Sequence, residues 1–175
     1  ETLAPAQPTA ELPVITAEQL LAFRISGRGE QRVRIEGVVT AAFPRNEIFL
    51  RQGDLGFGVR LVQSAEVSVG DHVAVVGFPE MERFSALVVD AEVVQRTAGE
   101  PLAPLDVADP DTLEIRRGVP LDGMLVSLMG TLRDVFRADG GITLLVAGSK
   151  RTLYVRVPEG TPIPLVILSN RLPVQ

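Results

Sequence analysis

The stretch Val33–Val39, with the sequence VRIEGVV, has a counterpart in Val126–Leu132, with the sequence VSLMGTL. Downstream of each stretch, FGVRL at Phe57–Leu61 matches LYVRV at Leu153–Val157. In both copies, a long strand pattern interrupted by a glycine is followed by a short strand and then by a third. The repeat distance of about 95 residues is too long for a solenoid unit and suits two small domains. The sequence thus predicts a tandem pair of similar domains.

The first copy has the pattern of a small closed barrel. Its long first strand changes phase at Gly37, and a glycine permits the bend of a strand that is shared by both halves of a barrel. We predict a leading helix over Ala17–Arg24, capped by Thr16 and Gln19, and a polar loop over Pro79–Arg83. The predicted strands are Gln31–Ala42, Glu47–Gln52, Phe57–Leu61, His72–Gly77 and Phe84–Val94. A bent strand, a meander and two later strands are typical of the OB-fold barrel.

The second copy is predicted to be incomplete. Gly130 repeats the role of Gly37, but the chain stops near the counterpart of the fourth strand and no segment corresponds to the fifth. Two explanations stay open, a fragment cut from a longer protein or a barrel completed by another element such as a second chain. The predicted fold class is mainly β, with two OB-fold-like small barrels in tandem, the second incomplete, each preceded by a short helix. The predicted domains are a flexible amino-terminal tail at 1–15, the first OB-like domain with its leading helix at 16–98, a linker with a short helix at 99–118, and the second OB-like domain at 119–175.

The composition restricts the chemistry that is available. The chain has no cysteine, so disulfides, thiolate catalysis and cysteine metal sites are excluded. His72 is the only histidine, which excludes a multi-histidine metal site. The net charge of −5 weighs against nucleic acid as a partner, because phosphate binding needs a positive field. No apolar run is long enough to cross a membrane. We therefore predict a non-catalytic chain with no metal site and no cofactor.

OB-folds usually bind ligands on the outer face of their second and third strands and in the adjoining loops. Aromatic rings beside arginines can stack on planar ligands and pair with anionic ones. The first copy offers six candidate residues on this face and its loops, which are Phe43, Arg45, Phe49, Arg51, Arg83 and Phe84. The alternative is structural, because Phe49 and Phe84 can also cover the barrel or contact the short helix. Gly58 weakens the ligand interpretation, because many oligonucleotide-binding OB domains have an aromatic residue there.

Acidic residues ahead of the second copy look like a calcium cluster, but we prefer a structural interpretation. Asp109, Asp111 and Glu114 lack the glycine and the additional carboxylates of a calcium loop. Helix capping by Asp109, with Pro110 at the first helical position, explains them better. His72 follows a turn at the start of a strand and is predicted to be an ordinary exposed histidine.

Four segments carry a resemblance to a known family. They are ITAEQL at Ile15–Leu20, VRIEGVVT at Val33–Thr40, IFLRQ at Ile48–Gln52 and VGDHVAVVG at Val69–Gly77. The chain resembles the tandem OB-like region that lies outside the membrane in some bacterial sensor histidine kinases and diguanylate cyclases. Similar OB units precede secreted bacterial nucleases. Family members often have a Gln-Asp pair where this chain has Arg51–Gln52, a departure that removes an acidic group and adds a cation.

The resemblance implies the extracytoplasmic sensory or interaction domain of a bacterial transmembrane signalling protein, such as a sensor histidine kinase of a two-component system. Such a domain would be periplasmic or extracellular, would bind a small ligand or a partner protein, and would meet the membrane only through flanking segments. It is compatible with a homo-oligomer. The alternatives are a nucleic-acid-binding accessory module of a secreted nuclease, or a structural spacer. A spacer is favoured if no cleft accompanies Phe49, Arg51 and Phe84.

Overall fold

The computed structural model of the chain describes residues 12–22, 27–81, 85–107, 110–112, 121–138, 141–159 and 173–174. These residues form a mainly β structure with a short helix α1, Ala17–Leu21, and a 3₁₀ turn, Pro110–Thr112. The strands of the first half are β1 Gly27–Arg28, β2 Val33–Phe43, β3 Glu47–Gln52, β4 Leu55–Leu61, β5 His72–Met81 and β6 Ala86–Thr97. Those of the second half are β7 Leu105–Val107, β8 Val126–Leu128, β9 Gly130–Ala138, β10 Gly141–Ala147, β11 Thr152–Pro158 and β12 Pro173–Val174. None of the described segments contains a helix with the length and apolarity needed to cross a membrane.

Strands β2 to β6 close into a barrel. β2, β3 and β4 form an antiparallel meander, and β5 pairs with the other side of β2. β6 closes the ring by pairing in parallel with β4 and antiparallel with β5. This is the arrangement of an OB-fold, so the predicted fold class is confirmed. Every barrel strand contributes a fully buried side chain to the interior, namely Ile35, Leu50, Phe57, Val75 and Val88.

β2 belongs to both halves of the barrel, as predicted. Its first part, Val33–Val38, pairs with β5, and its second part, Val38–Phe43, pairs with β3. Gly37 lies next to this change of partner, and a Cβ there would lie 3.0 Å from the carbonyl oxygen of Arg51. The absence of a side chain at Gly37 therefore allows β2 and β3 to approach closely where the strand changes partner.

Helix α1 begins with the predicted capping box. The Thr16 hydroxyl accepts a hydrogen bond from the Gln19 amide, and the Gln19 side chain accepts one from the Thr16 amide. Leu20 is buried in the barrel core, which holds the helix against the barrel. The helix ends at Leu21 with Ala22 as its C-cap, earlier than the predicted end near Arg24.

Two other boundaries also differ from the prediction. Residues 12–15, which we assigned to the flexible tail, lie alongside β2, where the Ile15 amide donates to the Arg34 carbonyl. The Arg34 amide donates in turn to the carbonyl of Pro13. β5 continues to Met81 through most of the predicted loop Pro79–Arg83, because it pairs with β6 over that whole length.

The second copy forms a four-stranded sheet in the order β11–β10–β9–β12. β9 to β11 repeat the meander of β2 to β4, and β12 pairs with the start of β9 as β5 pairs with β2. Its buried core residues are Leu132, Leu144 and Val146. The long first strand is divided, since β8 pairs in parallel with β7 and ends before Met129. Gly130 therefore begins β9, and the predicted bend within a continuous strand is wrong for this copy.

Candidate ligand-binding face

The outer face of β2 and β3 carries a pair of aromatic rings. Phe43 ends β2 and Phe49 lies in β3, and their ring centroids are 5.8 Å apart with 84° between the ring planes. This edge-to-face arrangement is favourable for two aromatic rings. Ile48 and Leu50 are buried in the core, so the alternation along β3 places Phe49 and Arg51 on the outside, as predicted.

The turn between β2 and β3 holds Arg45 in an uncommon backbone conformation. Arg45 has a φ of 71° and Asn46 has a φ of 63°, so both residues are in the left-handed region. An arginine rarely adopts this conformation, and backbone strain of this kind occurs preferentially at functional sites. The Arg45 side chain is exposed and makes no ion pair with any residue that the structure describes. Its cation is therefore available to a ligand beside the ring pair.

Arg51 borders a cleft of about 450 Å³ on the outer face of the barrel. Arg51 is paired with Val38 of β2, and Val38 is paired on its other side with His72 of β5. Directly opposite residues of neighbouring strands point to the same side of a sheet, so Arg51 and His72 flank Val38 on the floor of the cleft. The other polar side chains that line the cleft are Glu36, Gln52, Asp54, Gln95 and Thr97.

A second cleft, of about 360 Å³, lies between the barrel and the segment that connects the two sheets. The barrel contributes Thr40, Arg51 and Asp54 to its lining. The connecting segment contributes Leu102, Ala103, Pro104, Leu105, Met124 and Leu125. Arg51 and Asp54 border both clefts, and the Arg51 side chain makes no ion pair with another described residue. Arg51 is therefore the cation best placed to meet a ligand in either cleft.

Gly58 lies on the outer face of β4, opposite Phe49. A Cβ on Gly58 would lie 2.4 Å from Cδ2 of Leu87, whose side chain is buried. Leu87 of β6 thus occupies the space where many OB domains place an aromatic ring. Among the described residues of this face, Phe43 and Phe49 are therefore the ones that offer a stacking surface.

Residues Leu121–Met124, which we call the linker turn, dock on the same outer face. A Cβ on Gly56 of β4 would lie 1.9 Å from the carbonyl oxygen of Asp122, so the two backbones are in direct contact. The Thr40 hydroxyl donates a hydrogen bond of 2.6 Å to the carbonyl oxygen of Gly123. The linker turn therefore covers part of the barrel face beside Arg51.

Asp122, a polar residue of the linker turn, is half-buried where the turn docks on the barrel. Burial raises the pKa of its carboxyl group, against the opposing effect of hydrogen bonds from Ser85 and the Gly123 amide. Its Oδ2 atom has no hydrogen-bond partner among the described residues. The ionised form of Asp122 is therefore poorly accommodated at this contact.

Asp111 binds a hairpin of the second sheet, which differs from the predicted helix cap. Its carboxylate accepts hydrogen bonds from the Lys150 amide at 2.7 Å, the Arg151 amide at 2.6 Å and the Ser149 hydroxyl. The predicted cap, Asp109, lies outside the described residues. Within the described ranges, no cluster of three or more His, Cys, Asp or Glu residues is suited to hold a metal ion.

The structure brings Phe43, Arg45, Phe49 and Arg51 to one face and its adjoining turn. The other two predicted site residues, Arg83 and Phe84, lie outside the described residues. Three residues that were not predicted as site residues, His72, Gln95 and Thr97, border the larger cleft with Arg51. No local pattern marks these three residues, because only the pairing of β2 with β5 and of β5 with β6 brings them near Arg51.

No family model and no curated protein matches the chain. Among solved structures, it is similar to the telomere capping protein Ten1 from Saccharomyces pombe, with a TM-score of 0.32 and 16% identity over 50% of this chain and 80% of that chain. It is also similar to the S. pombe Stn1–Ten1 complex, with a TM-score of 0.34 and 16% identity over 52% of this chain and 79% of that chain.

Nothing in these comparisons supports the predicted sensory function. The matching structures are those of a telomere capping protein and of a complex that contains it, and no family model of a sensor region matches. The OB-fold and β-barrel assignments stand, and the sensory assignment is withdrawn. Because TM-scores this low carry no argument about ligands, the choice of ligand depends on the geometry of the barrel face.

Proposed function

We propose that this chain is a non-catalytic OB-fold binding module for single-stranded nucleic acid, with one binding surface on the outer face of β2 and β3. The observation that carries the proposal is the ring pair of exposed Phe43 and partly buried Phe49, with Arg51 on the same face and Arg45 in the adjoining turn. Bases stack on such rings without regard to sequence, and arginines beside them pair with phosphates.

The spacing along β3 suits an extended strand. Phe49 and Arg51 are two positions apart, which places their side chains about 7 Å from one another along the strand. Arg51 makes no ion pair with the described part of the chain, so phosphate binding does not require an existing pair to break. The two clefts that border Arg51 give a bound strand room to pass over the barrel.

The charge of the chain sets the expected strength of binding. A net charge of −5 repels phosphate at long range, so we expect weak binding that is detectable only at low salt. With Arg45 and Arg51 as the two phosphate contacts of this face, the logarithm of the binding constant should fall with the logarithm of salt concentration with a slope of about −1.4.

Fluorescence anisotropy with a labelled deoxythymidine oligonucleotide, from about 20 to 300 mM salt, tests the proposal. Phe49→Leu should weaken binding by about 1–3 kcal/mol, because leucine keeps the apolar volume and loses the aromatic face, whereas Phe49→Tyr should bind as the wild type does. Arg51→Gln should reduce the salt slope by about 0.7.

The matched control is Arg32→Gln. It removes the same charge just before β2, where Arg32 pairs with Glu92, and neither residue lines a cleft at Arg51, so it should leave the salt slope unchanged. If the wild type shows no binding at the lowest salt, or if Phe49→Leu and Phe49→Tyr bind equally well, this surface does not bind nucleic acid.

A structural spacer is the second candidate, because the connecting segment is held at both ends. Asp71 of the barrel accepts a hydrogen bond from the Gly99 amide, and Asp111 binds the hairpin at Ser149–Arg151. Such anchoring suits a module that sets the spacing of its neighbours. The spacer was predicted for the case that no cleft accompanies Phe49, Arg51 and Phe84. Arg51 borders both clefts, which supports the binding module, whereas Phe49 lines neither of the two and Phe84 lies outside the described residues.

A further inference from the structure

The second sheet exposes two aromatic side chains on one face. Phe136 of β9 is paired with Thr143 of β10, and Leu145 of β10 is paired with Tyr154 of β11. Thr143 and Leu145 are two positions apart, so they and their partners point to the same side of the sheet. Tyr154 is 71% exposed and Phe136 is 40% exposed.

The opposite face of this sheet is its core. Leu132, Leu144, Val146 and Leu153 are buried there. Phe136 and Tyr154 therefore lie on the outer face, on the side of the sheet that does not contribute to the core. Exposure of two large aromatic side chains on one outer face is a feature of binding surfaces.

The internal repeat relates this face to the ring pair of the first barrel. Phe136 lies six positions after Gly130, as Phe43 lies six positions after Gly37. Tyr154 pairs with the central strand of the second meander where Gly58 pairs with that of the first. The position that Leu87 covers in the first copy thus carries an exposed tyrosine in the second.

The charge of the chain is divided unequally between the two copies. The second copy, residues 119–175, contains six Lys or Arg and four Asp or Glu, a net charge of +2, whereas the first copy, residues 16–98, contains nine and eleven, a net charge of −2. On the second sheet, Arg156 of β11 shares a row with Thr143 and Phe136, and Asp134 of β9 shares the row of Leu145 and Tyr154, so the two charges of this face offset each other and the net charge of the copy decides the sign. The potential that an anionic polymer meets is therefore more favourable at the second sheet than at the first barrel.

We propose that the outer face of β9, β10 and β11 is a second binding platform for single-stranded nucleic acid, with a base stacked on Tyr154. The inference rests on the proposed function and names where most of the affinity resides. Charge and exposure both favour this platform over the Phe43–Phe49 face, so loss of the Tyr154 ring should weaken binding more than loss of the Phe49 ring.

The composition provides a direct probe of this platform, because Tyr154 is the only tyrosine. Protein labelled with 3-fluorotyrosine should give a single ¹⁹F resonance that reports on this ring alone. Titration with the deoxythymidine oligonucleotide at low salt should move that resonance along a saturating curve. In anisotropy, Tyr154→Leu should weaken binding by about 5- to 160-fold and by more than Phe49→Leu does, and Tyr154→Phe should bind as the wild type does.

The outcomes separate the two proposals. The second platform is overturned, and the proposed function stays intact, if the oligonucleotide binds without moving the resonance and Tyr154→Leu keeps the wild-type affinity. If Tyr154→Leu loses binding and Phe49→Leu keeps the wild-type affinity, the second platform is supported and the role of the first face is overturned. Absence of binding at low salt overturns both. Far-UV circular dichroism shows whether each variant is folded. A substitution at Tyr154 should leave the fold unchanged, because this position is highly exposed.

Discussion

Asp71 is a buried carboxylate that joins three segments of the first barrel. Its Oδ2 atom accepts hydrogen bonds from the Ser68 amide at 2.8 Å and from Nε of Arg96 at 2.7 Å, and the Gly99 amide also donates to the carboxylate. The Ser68 amide lowers the pKa of Asp71, burial opposes this effect, and Arg96 and Gly99 lower the pKa further. The ionised form is therefore the one that stabilises the fold.

At the residue scale, we expect Asp71→Asn to lower the melting temperature at pH 7. Because the pKa of Asp71 is lower in the folded than in the unfolded state, its stabilising effect is present above the unfolded value of about 3.9 and is lost as the pH falls through the folded value. The difference in melting temperature between the wild type and the variant should thus shrink below about pH 4. Circular dichroism melts from acidic to neutral pH measure it, with the exposed Glu66→Gln as control. A difference that does not change with pH would contradict this role of the charge.

At the scale of elements, the docking of the linker turn depends on two glycines and a threonine. Gly56 and Gly123 allow backbone contact, and Thr40 supplies the hydrogen bond to the turn. We expect Gly56→Ala to release the linker turn and leave the barrel folded, because the three atoms nearest to the added Cβ belong to the backbone of Asp122 and Gly123. Faster hydrogen exchange at the Met124 amide, which donates to the Leu121 carbonyl within the turn, measures the release.

The matched control for this prediction is Gly53→Ala. Gly53 has a φ of 62° and open space around it, so alanine there should cost about 1 kcal/mol in backbone strain without touching the linker turn. Exchange at Met124 should then stay as in the wild type. Equal effects of Gly53→Ala and Gly56→Ala would mean that general destabilisation, and not the contact at Gly56, controls the turn.

The carboxyl group of Asp122 should make the same docking dependent on pH. Its pKa is raised in the folded state, so the docked turn is favoured at low pH and loses stability as the pH rises through the folded pKa. We expect Asp122→Asn to hold the turn docked at neutral pH, since the amide stays uncharged. Amide chemical shifts of Gly123, followed from acidic to neutral pH, should change in the wild type and stay constant in the variant. A wild-type shift that is also constant would show that Asp122 does not control docking.

At the scale of the whole molecule, the two copies differ in the size of their cores. The first barrel has fifteen buried residues in one apolar cluster, and the described part of the second sheet has three. We therefore expect two unfolding transitions in calorimetry, with the second sheet melting first. Leu144→Ala should destabilise only the second sheet, which melts in the first transition, and Leu50→Ala should destabilise only the barrel, which melts in the second. Each substitution should lower the free energy of unfolding of its own unit by about 2–5 kcal/mol. A single transition that both variants lower equally would mean that the connecting segment couples the two sheets into one cooperative unit.

Local patterns predicted the elements of the first barrel well. Thr16 and Gln19 marked the start of α1 because a capping box involves residues only three positions apart. The alternation in β3 placed Ile48 and Leu50 inside and Phe49 outside because side chains alternate along any strand. The end of β5 was placed too early because the pairing that continues it past Pro79 is with a distant strand.

Residue patterns alone were enough to predict the duplication, the OB-fold of the first copy and the outward position of Phe49 and Arg51. The tertiary structure alone decided that His72 lies across β2 from Arg51, that Leu87 covers Gly58 and that the linker turn docks on Gly56. The difference lies in the sequence separation of the residues that interact. Capping and alternation depend on neighbours within a few positions, whereas these contacts depend on which distant strands pair when the barrel closes and in which register they do so.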